Sequence, residues 1–198
     1  MKKIVVIGSI NVDLVTQVDR RPKSGETLMG TKFQIVNGGK GANQAIAASR
    51  LASDVSFIGC VGNDVNGEFA LENLLKNNIK IAGVTKLNGV ETGIANIVLS
   101  EGDNSIIVVP GANFCITKEH IHQYMKLLLQ ADMVILQLEI LMDIIEYVVD
   151  ICYKNDIKTI LNPAPATDLS MELINKVSYL TPNEHEFELM FKTKDLEK

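Results

Sequence analysis

The sequence predicts an α/β fold in which helices flank a mostly parallel sheet. Short apolar runs rich in β-branched residues alternate along the chain with longer segments whose apolar residues have helical spacing. Such alternation implies right-handed crossovers between neighbouring parallel strands. Two segments break the alternation: the one from about residue 13 to 36 lacks a clear helix, and the one from about 91 to 109 has a hairpin pattern that turns at residues 101–104.

The individual elements follow from where the hydrophobic period changes. Buried strands are expected as uninterrupted apolar runs, within Met1–Asp13 and at Val55–Cys60, Met133–Leu138, Lys158–Leu161 and Val177–Leu180. Helices are expected where apolar residues recur at helical spacing or a capping residue opens the segment, at Ala42–Leu51, Asn66–Lys76, Thr117–Gln130 and Leu141–Tyr153. Two further helices should begin at Asp168 or Ser170 and after Pro182.

The composition is that of a globular α/β enzyme. The 198 residues are 46% hydrophobic and 22% charged, which is enough for one sizeable core. The net charge of −5 argues against a nucleic-acid partner. The three cysteines are odd in number and widely spaced, so we expect reduced packing residues in a cytoplasmic protein. No apolar stretch approaches the roughly 20 residues of a membrane helix, so no membrane partner is expected.

The glycine-rich run Asn37–Ala45, which reads NGGKGANQA, is the most informative stretch for function. Glycine permits positive φ and lets a ligand approach the backbone, and the Ala-rich segment that follows places main-chain N–H groups at a helix N-terminus, where anions and hydroxyl oxygens bind. Lys40 adds a cation and Asn43 an amide. The run lacks the Walker A spacing. The alternative is a glycine-rich turn that packs a helix tightly against a strand.

Three acidic or amide side chains are expected near this run. Asn11 and Asp13 are two residues apart, so in extended chain they project to the same side, at the end of a strand where open α/β sheets bind ligands. A carboxylate there can accept hydrogen bonds from two hydroxyls. Glu139 follows the strand Met133–Leu138 at the same kind of edge. As alternatives, Asp13 ends a strand as a turn residue, and Glu139 is a helix N-terminal acid favoured by the macrodipole.

Eight short motifs extend over essentially the whole chain. They are GSINVD (Gly8–Asp13), NGGKGANQA (Asn37–Ala45), VGNDVNGE (Val61–Glu68), TGIA (Thr92–Ala95), VVPGAN (Val108–Asn113), LQLE (Leu136–Glu139), LNPAPA (Leu161–Ala166) and TPNEHE (Thr181–Glu186). In this order they resemble the ribokinase branch of the phosphofructokinase-B sugar kinase family. As a set they are far more specific than one glycine loop.

The resemblance implies a ribokinase-like fold in which the two irregular segments form a small β lid, and ATP-dependent phosphorylation of D-ribose at its primary hydroxyl by a dimer paired through that lid. It assigns to the sugar Asn11, Asp13, Gly38, Gly39, Lys40, Asn43 and Glu139. It places Asn183 at the nucleotide and Glu186 at Mg²⁺, and adds a monovalent cation such as K⁺. The alternative for Asn183 and Glu186 is a plain helix start, because Pro, Asn and Glu suit a first turn.

The resemblance also implies a Gly-Ala-Gly-Asp motif, whose Asp takes the proton of the attacking hydroxyl while backbone amides hold the developing charge. The 198 residues contain no such motif, and Gly111-Ala112-Asn113 lacks the second Gly and the Asp. We therefore expect residues 1–198 to form one incomplete domain, with the catalytic Asp beyond Lys198, and to be inactive alone. Deoxyribose or another small sugar is the alternative substrate, and a non-catalytic sugar-binding fragment is the alternative function.

Overall fold

The main sheet of the computed structural model, which describes residues 1–191, has six strands that all run parallel. Their spatial order is β10 (Tyr179–Leu180), β9 (Lys158–Asn162), β8 (Met133–Gln137), β1 (Lys3–Ile7), β4 (Asp54–Gly62) and β5 (Lys80–Leu87). The parallel sheet predicted from the sequence is confirmed. The carboxyl ends of β1 and β8 lie side by side, because β1 pairs with β8 in register.

Helices cover both faces of this sheet. α1 (Lys40–Arg50) and α2 (Val65–Lys76) lie on one face, and the other face carries α3 (Lys118–Gln123), α4 (Met125–Leu129), α5 (Met142–Lys154) and α6 (Met171–Lys176). Alternate residues of β1 contact the helices on opposite faces of the sheet. Val6 packs with the alanines of α1, whereas Val5 and Ile7 pack with α5. This burial on both faces explains the uninterrupted apolar run of β1.

A second, four-stranded sheet lies beside the first. Its strands, in spatial order, are β3 (Lys32–Gly38), β2 (Asn11–Gln17), β6 (Gly93–Ser100) and β7 (Asp103–Val109). The two outer pairs are antiparallel and the central pair is parallel. The hairpin between β6 and β7 turns at Glu101 and Gly102, both with positive φ (53° and 78°), as a tight hairpin turn requires. Only residues 8–10 separate β1 from β2, so the two sheets meet there.

The register of the small sheet decides which side chains share a face. Asp13 pairs with Ala95, and Ala95 pairs with Val108. Because side chains alternate along each strand, Asn11, Asp13 and Val108 lie on one face. That these strands act as a lid over a ligand stays a prediction at this point.

Some element predictions were wrong in detail. The helix expected over Thr117–Gln130 is interrupted at Tyr124 (φ −106°, ψ 17°), although Thr117 does accept a hydrogen bond from the backbone N–H of His120 (3.2 Å), as an N-cap should. The predicted strand Val177–Leu180 is only two residues long, and β5 was not predicted at all. Within residues 1–191 we find no helix with the length and apolarity that a membrane crossing requires.

Candidate functional site

A cavity of about 390 Å³ lies between the small sheet and the carboxyl ends of the main-sheet strands. Its size is within the usual range for small-molecule sites. The lining residues come from both sheets and from the segments that join them: Asn11, Lys40, Ile106, Val108, Pro110, Asn113, Phe114, Leu138, Glu139 and Pro165. Three of the predicted site residues, Asn11, Lys40 and Glu139, therefore meet at one cavity.

Glu139 follows β8, and its side chain is held from two sides. Its Oε2 accepts hydrogen bonds from the hydroxyl of Ser9 (2.6 Å) and from the backbone N–H of Lys40 (2.9 Å). Its Oε1 has the ammonium of Lys40 at 3.9 Å. One carboxylate oxygen is thus fixed by the protein, while the other keeps capacity for a further hydrogen bond at the cavity.

The N-terminus of α1 binds protein groups and does not offer its first amides to the cavity. The N–H of Lys40 donates to Glu139, that of Gly41 to the Ser9 hydroxyl (3.2 Å), and that of Ala42 to the Ser9 carbonyl (2.9 Å). The expectation that these N–H groups receive ligand oxygens is therefore wrong. The helix dipole instead favours the Glu139 carboxylate, and Ser9, which is fully buried, is a site residue that sequence reasoning missed.

The glycines before α1 are required because β2 residues lie too close to them for a side chain. Gly39 has φ 88°, and a Cβ there would lie 2.7 Å from the backbone nitrogen of Asn11. A Cβ at Gly38 would overlap the carboxylate of Asp13. Gly38 and Gly39 therefore make room for Asn11 and Asp13; a direct contact of either glycine with a sugar stays a prediction.

Asp13 is half-buried on the small-sheet face that carries Asn11. Burial raises the pKa of its carboxyl above the ordinary value, and the negative charge of Glu139 raises it further. No side chain or backbone N–H among residues 1–191 donates a hydrogen bond to it. Asp13 is thus an acceptor whose hydrogen-bond partners would have to come from solvent or a ligand.

Asn113 is the second site residue that the sequence did not reveal. It is almost fully buried in the 3₁₀ helix Gly111–Cys115, lines the cavity, and donates a hydrogen bond from Nδ2 to Oδ1 of Asn11 (2.7 Å). The sequence points to its motif VVPGAN only through the resemblance to the family. The apolar wall of Ile106, Val108 and Phe114 was likewise not anticipated, because nothing in the sequence says which face of a hairpin is turned inward.

Asn43 and the pair Asn183–Glu186 lie outside this constellation. Asn43 is exposed on α1 and does not line the cavity. Asn183 and Glu186 bond to each other at the start of α7 (Glu184–Phe191): the Asn183 backbone N–H donates to Glu186 Oε2 (2.9 Å), and the Glu186 N–H donates to Asn183 Oδ1 (2.8 Å). This is a capping box, which agrees with the helix-start alternative. Their nucleotide and metal roles stay predictions.

The constellation is suited to a small polyol. Glu139 offers a carboxylate acceptor at the cavity, the amide of Asn11 and the ammonium of Lys40 offer donors, and Ile106, Val108 and Phe114 offer apolar contact. Asp13 adds a second carboxylate on the small-sheet face that carries Asn11. A sugar hydroxyl both donates and accepts hydrogen bonds, so it needs partners of both kinds.

Comparisons with known proteins agree with this chemistry. The profile described as pfkB family carbohydrate kinase matches residues 1–198. The chain is 48% identical to the ribokinase of Bacillus subtilis over 191 residues, 96% of this chain and 65% of that protein. It is 38% identical to the deoxyribokinase of Salmonella typhimurium over 189 residues, 94% of this chain and 62% of that protein.

Among solved structures, an Arabidopsis thaliana ribokinase complexed with ribose and ATP is 30% identical, with a TM-score of 0.86 over 98% of this chain and 65% of that one. The chain thus spans slightly less than two thirds of the length of these relatives. The family match extends over the whole chain, and the fold agrees with it. The chain therefore belongs to the pfkB family of carbohydrate kinases.

Proposed function

We propose that the protein encoded by the complete gene transfers the terminal phosphoryl group of ATP to the primary hydroxyl of D-ribose. The observation that carries the proposal is the joint placement of Glu139, Lys40 and the Asn11 amide around one small cavity, with the Asp13 carboxylate on the same face of the small sheet as Asn11. The identity to a ribokinase and the fold shared with a ribokinase that holds ribose and ATP support the choice of substrates.

In this proposal the described residues bind and orient the sugar. Asp13 and Glu139 accept hydrogen bonds from sugar hydroxyls, and the Lys40 ammonium, 3.9 Å from Glu139 Oε1, offsets part of the negative charge that the two carboxylates bring together. Holding the sugar in one orientation lowers the entropic part of the barrier. We assign the proton acceptor of the attacking hydroxyl to none of these residues; the resemblance places it in a Gly-Ala-Gly-Asp motif.

The proposed reaction uses ATP together with Mg²⁺. Glu186 is the carboxylate assigned to it, but both its oxygens accept hydrogen bonds from Asn183 (2.9 and 3.0 Å). In the described part of the chain, no three His, Cys, Asp or Glu side chains are grouped as metal ligands. These residues alone do not fit a bound metal, so we derive no step through Mg²⁺ or K⁺. Because the reaction uses ATP, we expect it in the cytoplasm.

An assay of ADP release by the complete gene product tests the proposal. With ATP and magnesium present, ribose should stimulate ADP formation strongly. 2-Deoxyribose is the alternative substrate, since a deoxyribokinase is also a relative and the two sugars differ by one hydroxyl; a higher kcat/KM for deoxyribose would favour it. Sugar binding without ADP release would instead favour a non-catalytic sugar-binding protein.

We also propose that the lids of two copies pair in a homodimer. β3 and β7 form the two outer edges of the small sheet, and exposed edges are templates for strand pairing. The sheet face opposite Asp13 exposes large apolar side chains at Phe33, Ile35, Ile107 and Val109. Light scattering of the complete gene product should show a dimer, which Ile107→Glu should weaken; a monomer at micromolar concentration would contradict the lid pairing.

A further inference from the structure

Asn11 and Asn113 form a buried, hydrogen-bonded pair at the junction of the two sheets. Asn11 exposes 3% of its surface and Asn113 exposes 1%. We propose that Asn113 fixes the orientation of the Asn11 side-chain amide, so that Asn11 presents its NH₂ group, and not its oxygen, to the sugar. The inference rests on the proposed function, because it concerns how the same site recognises its substrate.

The orientation follows from a backbone donor that cannot change its role. The N–H of Ile10 donates to Oδ1 of Asn113 (2.9 Å). With Oδ1 placed there, Nδ2 of Asn113 is on the other side of the amide, where it donates to Oδ1 of Asn11 (2.7 Å) and to the Ile10 carbonyl (3.3 Å). A donor must meet an acceptor. Asn11 must therefore turn its oxygen towards Asn113, which leaves its Nδ2 directed elsewhere.

Gly93 leaves the space in which this pair forms. It lies beside Asn11 in the pairing of β2 with β6. A Cβ at this position would overlap both Oδ1 of Asn11 and Nδ2 of Asn113. The glycine of the TGIA motif thus has a specific role, which is to let the two amides meet.

The consequence is a mixed set of donors and acceptors at the cavity. Asp13 and Glu139 accept hydrogen bonds from sugar hydroxyls, and Nδ2 of Asn11 donates a hydrogen bond to a sugar oxygen. If the Asn11 amide were reversed, the side chains of these three residues would present acceptors only, and Lys40 would be the one charged donor among the lining residues. Asn113 is therefore a positioning residue that sets the hydrogen-bond pattern which the sugar must match.

Asn113 itself lines the cavity and also ties the 3₁₀ helix to Ile10, so a loss of affinity on its substitution is not sufficient evidence. Both a direct sugar contact and a purely structural role would weaken binding whether or not Asn11 is present. If Asn113 acts through Asn11, its substitution should weaken binding only when Asn11 is present. A double-mutant cycle separates these cases, because residues that act through each other have non-additive effects.

The experiment is calorimetric titration of ribose into the complete gene product in four forms: wild type, Asn113→Asp, Asn11→Ala and the double variant. An Asp at position 113 keeps the acceptor for the Ile10 N–H but removes both bonds that Nδ2 donates, the short one to Asn11 and the longer one to the Ile10 carbonyl. The Asn11 amide should then reverse. We expect Asn113→Asp to weaken ribose binding by about 10- to 100-fold, the range for one mismatched buried hydrogen bond. In the Asn11→Ala background the same substitution should cause a much smaller loss, because only the longer bond to the Ile10 carbonyl is then removed.

Asn175→Asp is the matched control, because it makes the same substitution at an exposed position of α6 that neither lines the cavity nor belongs to the small sheet. It should leave ribose affinity unchanged. If Asn113→Asp does not fold, Gly93→Ala breaks the same pair by steric overlap and is carried through the same cycle. Additive losses would overturn the positioning role while ribose binding stands; wild-type protein that binds neither ribose nor 2-deoxyribose would overturn the proposed function and this inference with it.

Discussion

Replacement of Asp13 should separate sugar binding from stability, because its carboxylate lacks a hydrogen-bond donor in the described structure and is repelled by Glu139. A ligand would supply two hydrogen bonds to this charged group, each with a net contribution of about 1.5–3 kcal/mol. Asp13→Ala should therefore weaken ribose binding by about 10²- to 10⁴-fold, at about 1.4 kcal/mol per factor of ten. Asp13→Asn keeps one acceptor oxygen and should retain part of the affinity.

The same substitution should stabilise the free protein. Burial, and then Glu139, raise the pKa of Asp13 above its value in the unfolded chain, so the folded state holds the proton more tightly. The free energy of unfolding therefore falls as the pH rises through the interval between the unfolded and folded pKa, and this cost persists at neutral pH. Asp13→Asn should raise the unfolding temperature at pH 7, and the gain should disappear below the ordinary Asp pKa of about 3.9.

The assay combines calorimetric titration of ribose with thermal unfolding in the absence of sugar, on the complete gene product. Asp19→Asn is the matched control, because it removes the same charge from an exposed position soon after β2. It should change neither ribose affinity nor the pH dependence of unfolding. Ribose affinity unchanged in Asp13→Ala, or an Asp13→Asn variant destabilised at pH 7, would refute the reasoning.

Two further predictions concern the framework of the site. Asp64 caps α2 through the N–H of Gly67 (2.7 Å) and accepts two hydrogen bonds from Thr92. Partial burial opposes ionisation of Asp64, but these bonds outweigh it and lower the pKa of the carboxyl. The contribution of Asp64 to stability should therefore be lost as the pH falls through that lowered pKa. Asp64→Ala should cost about 2 kcal/mol in urea unfolding at pH 7, near the upper end for an N-cap, and Asp64→Asn, which can still cap, should cost less. Gly38→Ala should displace the Asp13 carboxylate and weaken ribose binding at least tenfold, as measured by calorimetry, but should have no further effect in an Asp13→Ala background.

The sheet and most helices could be predicted from the sequence because their burial leaves a local signature. β1 and β8 are buried on both faces and read as uninterrupted apolar runs. The helix break at Tyr124 and the edge strand β5 escaped prediction because neither has such a signature. We attribute both the helix break and the formation of β5 to tertiary packing, which overrides local propensity.

The site was predictable only in part, and the division has a physical reason. Asn11, Lys40 and Glu139 stand at chain positions where polar residues follow strands or glycines, so the sequence points to them. Ser9 and Asn113 act by bonding to Glu139 and Asn11 across 130 and 102 residues of sequence, and such long-range partners are set by the fold. The N–H groups at the start of α1 were misassigned for the same reason, because Ser9 and Glu139 already occupy them.

The most direct test of the central claim follows the phosphoryl group onto the sugar. The complete gene product is incubated with ATP, magnesium and ribose labelled with ¹³C at carbon 5, and the product is observed by ¹³C and ³¹P nuclear magnetic resonance. The account predicts one mole of ADP per mole of sugar phosphate, with carbon–phosphorus coupling at the labelled carbon. ATP hydrolysis without a sugar phosphate, or a phosphate on another carbon, would contradict it.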